Sequence, residues 1–185
     1  MRIMSKTWNV LSFDFGAGSG RSMLGRFDGE RLSISECLRF SHNIQTDGNS
    51  LCWDISALEA GIMESFQKLH GAHTQLCSFA IDTWGVDFAL LDKNGTLVEQ
   101  PRCYRRMSTA DLPRVHQIVD ENTLFQKTGL IANPLNTLYQ LIRMRYESPQ
   151  ILEKASHLLM LPSYFSYLLT GEIYNELTAA STTML

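Results

Sequence analysis

The chain has 185 residues, 44% of them hydrophobic and 19% charged, which is the composition of a globular domain able to bury a core. A formal net charge of -3 and a pI near 5.9 provide no basic field for a phosphate backbone, so general nucleic-acid binding is excluded as a leading reading. The first nine residues lack an apolar core of the signal-peptide kind, and no stretch approaches the roughly 20 apolar residues of a membrane span. One cytoplasmic domain over residues 1–185 is the expectation. Cys37, Cys52, Cys77 and Cys103 lie far apart without a C-x-x-C pair, so they read as buried reduced thiols rather than zinc ligands or a redox dithiol. His70 and His73 read as solvated loop residues.

In chain order, WNVLSFDF at 8–15 predicts a buried strand running into the glycine cluster GAGSG at 16–20. Residues 21–27 and 32–40 alternate apolar and polar side chains around Asp28-Gly29, a hairpin signal, so three antiparallel strands open the domain. Asp54 or Ser56 is placed to cap a helix in which Leu58, Ile62, Phe66 and Leu69 recur at helical spacing. Residues 76–91 form two apolar runs interrupted by Asp82, Thr83, Trp84 and Gly85, followed by a second hairpin signal at Lys93-Asn94-Gly95. Helices are predicted over about 109–120, 121–128 and 136–147. A short strand over 157–162 and a helix capped by Ser163 follow, ending at Gly171, and the polar tail from Ser181 shows no closing element.

The run FDFGAGSGR combines Asp14 at a strand end, Gly16, Gly18 and Gly20 in the turn, and Arg21 immediately after it. Phosphoryl transfer needs donors around the phosphate oxygens, a carboxylate for Mg²⁺ and a cation against developing charge, and this run could supply all three. A glycine-rich hairpin with a solvated Asp and Arg explains the loop alone equally well. A Rossmann fingerprint would require glycine at Arg21 and a following helix, and a Walker A loop would require different glycine spacing and a lysine. The second polar site, IDTWGVDF at 81–88, interrupts buried strands with two carboxylates, an indole and a glycine. Trp84 there could offer a face to a sugar ring, although by itself it reads as core.

Taken in order, FDFGAGSGR, CWDI at 52–55, IDTWGVDFALLD at 81–92, KTGLIANPLNTLYQL at 127–141 and LLMLPSYFSYLLTGE at 158–172 resemble the FGGY family of carbohydrate kinases. DTWGVDF and NTLYQL are closer to its rhamnulokinase subfamily than to glycerol or xylulose kinases. The resemblance implies an α/β fold of the ribonuclease H-like kind, shared by the actin, Hsp70 and sugar-kinase superfamily: a mixed sheet whose first three strands are antiparallel, with helices on both faces. It implies the N-terminal kinase domain over 1–185, incomplete at its C-terminal end, from an enzyme transferring the ATP γ-phosphate to the 1-hydroxyl of L-rhamnulose. Ala17, Gly18, Ser19, Gly20 and Arg21 would bind ATP, Asp14 would hold Mg²⁺, and Gly85 would touch the sugar, with Thr83, Trp84 and Asn136 as further sugar candidates. No catalytic residue is carried over, because the family's general base falls beyond Leu185. This chain by itself is therefore expected to bind sugar or phosphate weakly without turnover, and to self-associate through a truncated edge. Where the subfamily has Tyr-Arg-Asp, this sequence has Tyr104-Arg105-Arg106, which puts pocket charge in question. The alternatives are an inactive binding or assembly module of the same fold, and a family kinase for another ketose or polyol.

Overall fold

The structure, a computed structural model, describes residues 7–48 and 50–185. Its elements are β1 (Trp8–Phe15), β2 (Ser19–Phe27), β3 (Leu32–Ser41), β4 (Ile44–Asp47), β5 (Ser50–Trp53), α1 (Ile55–Gly71), β6 (Ser78–Asp82) and β7 (Phe88–Leu91). After two short 3-10 turns follow α2 (Leu112–His116), α3 (Glu121–Thr128), α4 (Thr137–Glu147), α5 (Pro149–Lys154), β8 (His157–Met160), α6 (Leu161–Thr170) and α7 (Leu177–Ala180). These elements form two compact units, one taking the chain to Asn43 and then Asp54–Trp84, the other taking Ile44–Trp53 and Gly85–Leu185.

The first unit is a mixed sheet in the order β3-β2-β1-β6 with α1 packed on it. Its first three strands are antiparallel, as the glycine cluster and Asp28-Gly29 imply, and β6 runs parallel to β1. Period-two alternation in β1 buries Leu11, Phe13 and Phe15. Leu58, Ile62 and Leu69 of α1 are buried as well, and Phe13 meets Phe66 of that helix with ring centroids 5.7 Å apart; each fully buried side chain contributes about 1.5–3 kcal/mol. Asp54 starts the helix by accepting the amide of Ala57 at 3.0 Å. A buried hydroxyl pair, Ser22 and Ser65 at 2.8 Å, pins α1 to β2. The Asp28-Gly29 hairpin is realised with Gly29 at φ +102° and the Asp28 carboxylate accepting the amides of Glu30 and Arg31. Those backbone amides hold the Asp28 carboxyl below its ordinary range.

The second unit pairs β4 with β5 and β7 with β8, both antiparallel. Phe88, Leu90, Met144 and Met160 form one of its core clusters, and Val115, Leu124, Tyr139 and Met184 another. Gly95 at φ +80° closes the second predicted hairpin, with Asp92 accepting the amides of Asn94 and Thr96. Gly129 and Gly171 end α3 and α6 in the left-handed conformation, as their positions suggest.

Several expectations are corrected. Instead of one helix over 109–120 there is a 3-10 turn followed by the short α2. Strand β8 stops at Met160, and α6 begins at Leu161 rather than being capped by Ser163, because Pro162 suits a first helical turn. Ser163 is buried and accepts the amide of Glu176 instead. The short α7 precedes the polar tail, and within the tail Thr183 and Met184 are buried. Cys37, Cys52 and Cys103 are buried free thiols, but Cys77 is exposed. Burial pushes the Cys103 thiol up to about 11.

Candidate functional site

In the first unit, β1 delivers Asp14 to the mouth of the glycine turn, and cross-strand register sets Arg21 directly opposite it. The Arg21 Nε–H donates to Asp14 Oδ2 at 2.7 Å. Both side chains are about half exposed, 47% and 48%, so water screens the pair and it is worth only about 0–1 kcal/mol. Either partner can therefore exchange the other for a phosphate oxygen or a hydrated cation at little cost.

The turn itself uses few of its donors. The amide of Gly16 donates to Ser19 O at 2.9 Å, whereas among the described residues those of Ala17 and Gly18 have no hydrogen-bond partner. None of Gly16, Gly18 and Gly20 lies at positive φ. Gly20 is glycine for space, since a Cβ would stand 2.4 Å from the Phe40 ring, and Gly18 faces open space.

Two further residues join the turn. His42, missed in the sequence because it has no ligand-spaced companion, is buried, and its Nε2 lies 2.8 Å from Gly16 O. Its ring stacks on Trp84 with centroids 5.8 Å apart. The indole is thus tied through one imidazole to the backbone of the glycine turn. Thr83 is half-buried, and its hydroxyl donates to the carbonyl of Trp84 at 2.8 Å. Asp82 is registered beside Asp14 across β1 and β6.

The remaining sugar candidates, Gly85 and Asn136, belong to the second unit, and there the fold brings them together. Thr182 contacts both: a Cβ on Gly85 would stand 2.9 Å from Thr182 Cγ2, and Asn136 Nδ2 donates to Thr182 O at 2.8 Å. Asn136 is 9% exposed, and its buried Oδ1 has no hydrogen-bond partner among the described residues. Such an acceptor is costly to leave empty and suits a ligand hydroxyl.

Asp87, quoted only as part of a motif, is the polar hub of this unit and is fully buried. Its carboxylate accepts the indole N–H of Trp53 at 2.6 Å, the amide of Gln140 at 2.9 Å and the backbone N–H of Tyr104 at 3.3 Å. Trp53, Asp87 and Gln140 come from CWDI, DTWGVDF and NTLYQL, so three separate stretches of the sequence converge on one carboxylate.

Residues 9–185 match the FGGY family of carbohydrate kinases, N-terminal domain. The chain belongs to this family. Rhamnulokinases of Yersinia pestis (strain Pestoides F) and Yersinia pseudotuberculosis serotype I (strain IP32953) are each 40% identical to it over 179 residues, covering 95% of this chain. The chain spans 37% of the length of those relatives. The xylulose kinase of Lactobacillus acidophilus superposes with a TM-score of 0.76 at 15% identity, over 95% of this chain and 36% of its own. The glycerol kinase of Plasmodium falciparum with ADP gives 0.72 at 17% identity, over 96% and 37%. The fold is thus the mixed α/β fold of the sugar kinases, with a mixed sheet and helices on both sides. No helix among the described residues is long and apolar enough to cross a membrane.

Arg106, the cation that the sequence singled out in Tyr104-Arg105-Arg106, is neutralised within the second unit. Arg106 Nη2 pairs with Glu147 at 2.5 Å and Nη1 donates to Ser50 Oγ at 3.3 Å. Arg143 holds the same carboxylate at 2.8 Å and Asp111 at 3.2 Å. Burial raises the Glu147 carboxyl, but the Arg143 hydrogen bond and the charges of Arg106 and Arg143 outweigh this and bring it below its ordinary value of 4.5. A lowered folded-state value means that the pairing stabilises fully above about pH 4.5 and is lost as pH falls through the folded value. Glu147→Gln should therefore lower the urea midpoint at pH 7, and its curve should converge with the parent's in acid. Parallel curves across the whole range would show the network to be without consequence.

Proposed function

We propose that this chain supplies the phosphate-binding and sugar-binding residues of an ATP-dependent kinase acting on the 1-hydroxyl of L-rhamnulose, in the cytoplasm. The observation that carries this reading is the exposed turn with the two unused amides of Ala17 and Gly18, flanked by a loosely paired carboxylate and guanidinium. The backbone of Ala17, Gly18, Ser19 and Gly20 would cradle phosphate oxygens, with Arg21 turning from Asp14 to the same oxygens. Asp14 would hold Mg²⁺, directly or through its water shell. A Mg²⁺ that arrives with the nucleotide keeps several of its waters and needs only one or two protein carboxylates. When bound, Mg-ATP supplies the phosphoryl group and the neutralising charge.

In the first unit the indole of Trp84, steadied by His42, offers an apolar face for a sugar ring, with the Thr83 hydroxyl beside it in sequence. In the second unit Gly85 and the unpartnered Asn136 Oδ1 offer contacts for sugar hydroxyls. The 40% identity to proteins named rhamnulokinase supports L-rhamnulose as the sugar. By the family resemblance the general base falls beyond Leu185, so these 185 residues should bind without turnover.

Hydrogen exchange tests the reading directly. Mg-ATP should protect the amides between Asp14 and Arg21, Arg21→Ala should abolish most of that protection, and Asp14→Asn should remove its Mg²⁺ dependence. Indifference of this segment to Mg-ATP would reduce the turn to a structural hairpin. A coupled ADP-release assay should show no turnover by the chain with L-rhamnulose, and clear turnover would mean that a base among these residues has been overlooked.

A further inference from the structure

Val86 has φ +70°, a conformation that β-branched residues rarely adopt. The amide of Asp87 donates to Gly85 O at 2.9 Å, so Gly85, Val86 and Asp87 form a γ-turn whose central residue takes the rare, strained hand. Strain of this kind persists only where the surroundings over-determine it. Here they do. The Val86 amide donates to Thr182 Oγ1 at 3.0 Å, while its carbonyl accepts the Thr137 hydroxyl at 2.7 Å and the Gln140 amide at 3.1 Å. One residue later, the Asp87 carboxylate is fixed by Trp53, Gln140 and Tyr104.

The sequence makes this arrangement harder to explain as mere folding. A glycine at 86 would adopt the turn without strain, yet the glycine stands one position earlier, where contact with Thr182 demands it. The clamp also reaches both candidate sugar contacts of this unit. Thr182 holds Asn136 as well as Val86, and Thr137 follows Asn136 at the start of α4. The buried Asn136 Oδ1, without a donor among the described residues, marks the place where a ligand hydroxyl would complete the hydrogen bonding.

We infer that the strained turn at Val86, held by Thr137, Gln140 and Thr182, exists to aim the Gly85 peptide at the sugar, and that these four are positioning residues for sugar affinity. The inference rests on Gly85 and Asn136 being sugar contacts. The turn is built before the ligand arrives, so affinity does not have to supply the strain at the moment of binding.

The test is calorimetric titration of the 185-residue chain with L-rhamnulose, with thermal melting measured in parallel. Val86→Gly should leave the melting temperature within about 2–4 °C of the parent or raise it, and weaken sugar binding by roughly tenfold or more. Thr137→Val removes one clamp on the Val86 carbonyl and should weaken binding by a smaller factor, whereas Thr137→Ser should restore parental affinity. Should Val86→Gly also melt far below the parent, the Thr137 pair decides, since valine and serine differ there chiefly in the hydroxyl. Parental affinity in both Val86→Gly and Thr137→Val would overturn the inference while leaving the sugar site standing. Failure of the parent chain to bind L-rhamnulose would remove the site and the inference together.

Discussion

Replacing Asp87 by alanine should lower the unfolding free energy by about 3–5 kcal/mol, the typical cost of breaking a buried polar network by removing one charged partner. The expectation follows from the donors left behind. The indole N–H of Trp53, the amide of Gln140 and the backbone N–H of Tyr104 all point at a carboxylate that is 0% exposed, and none could turn to water without disturbing the packing around it. Urea unfolding followed by intrinsic tryptophan fluorescence measures the loss. Asp14→Ala is the matched control: that carboxylate is about half exposed, and its pairing should be worth no more than about 1 kcal/mol. Equal costs for the two substitutions would show that Asp87 is not the hub its hydrogen bonds describe.

Gly61→Ala should destabilise the chain by about 1–3 kcal/mol, opposite in sign to the roughly 0.5–1 kcal/mol gain that alanine usually brings inside a helix. A Cβ at Gly61 would stand 2.3, 2.4 and 2.6 Å from three atoms of the Phe40 ring. The ring cannot simply swing aside, because Gly20 on β2 approaches it equally closely and Phe15 packs edge-on at 5.7 Å. In a Phe40→Leu background the penalty for Gly61→Ala should shrink, which a double-mutant cycle would read as coupling between the two sites. A higher melting temperature for Gly61→Ala would mean that the ring has room to move. The same ring explains why position 20 of the glycine turn carries no side chain.

These two sites also mark the line between what the sequence discloses and what it withholds. Signals that act over a few residues read correctly: Asp28-Gly29 and Lys93-Asn94-Gly95 make their hairpins, Asp54 caps α1, and Gly129 and Gly171 stop their helices. Asp14 and Arg21 flank the turn as the pattern of FDFGAGSGR suggests. What escapes depends on partners far along the chain. Nothing near Trp53 announces that its indole will meet Asp87, and the β4–β5 hairpin holding it has only weak local pattern. His42 looks like an isolated histidine until the fold sets it between Gly16 O and Trp84. The reason for glycine at position 20 is likewise remote in sequence, since it answers crowding by Phe40 and its φ is not positive. The strained hand at Val86 is invisible for the complementary reason, because valine is among the residues least expected to adopt it.

The order in which the two units take up the chain bears on how the protein is made. The ribosome releases β4 and β5 inside the stretch that completes the first unit, yet Trp53 must wait for an acceptor 34 residues downstream. At translation speeds of roughly 5–20 residues per second, that interval lasts about 2–7 s. Throughout it a large indole and its hairpin stay without their final surroundings while the sheet of the first unit can already close. Nascent chains halted just before and just after Asp87 emerges should therefore differ sharply in protease resistance at the hairpin, while the segment around α1 is protected in both.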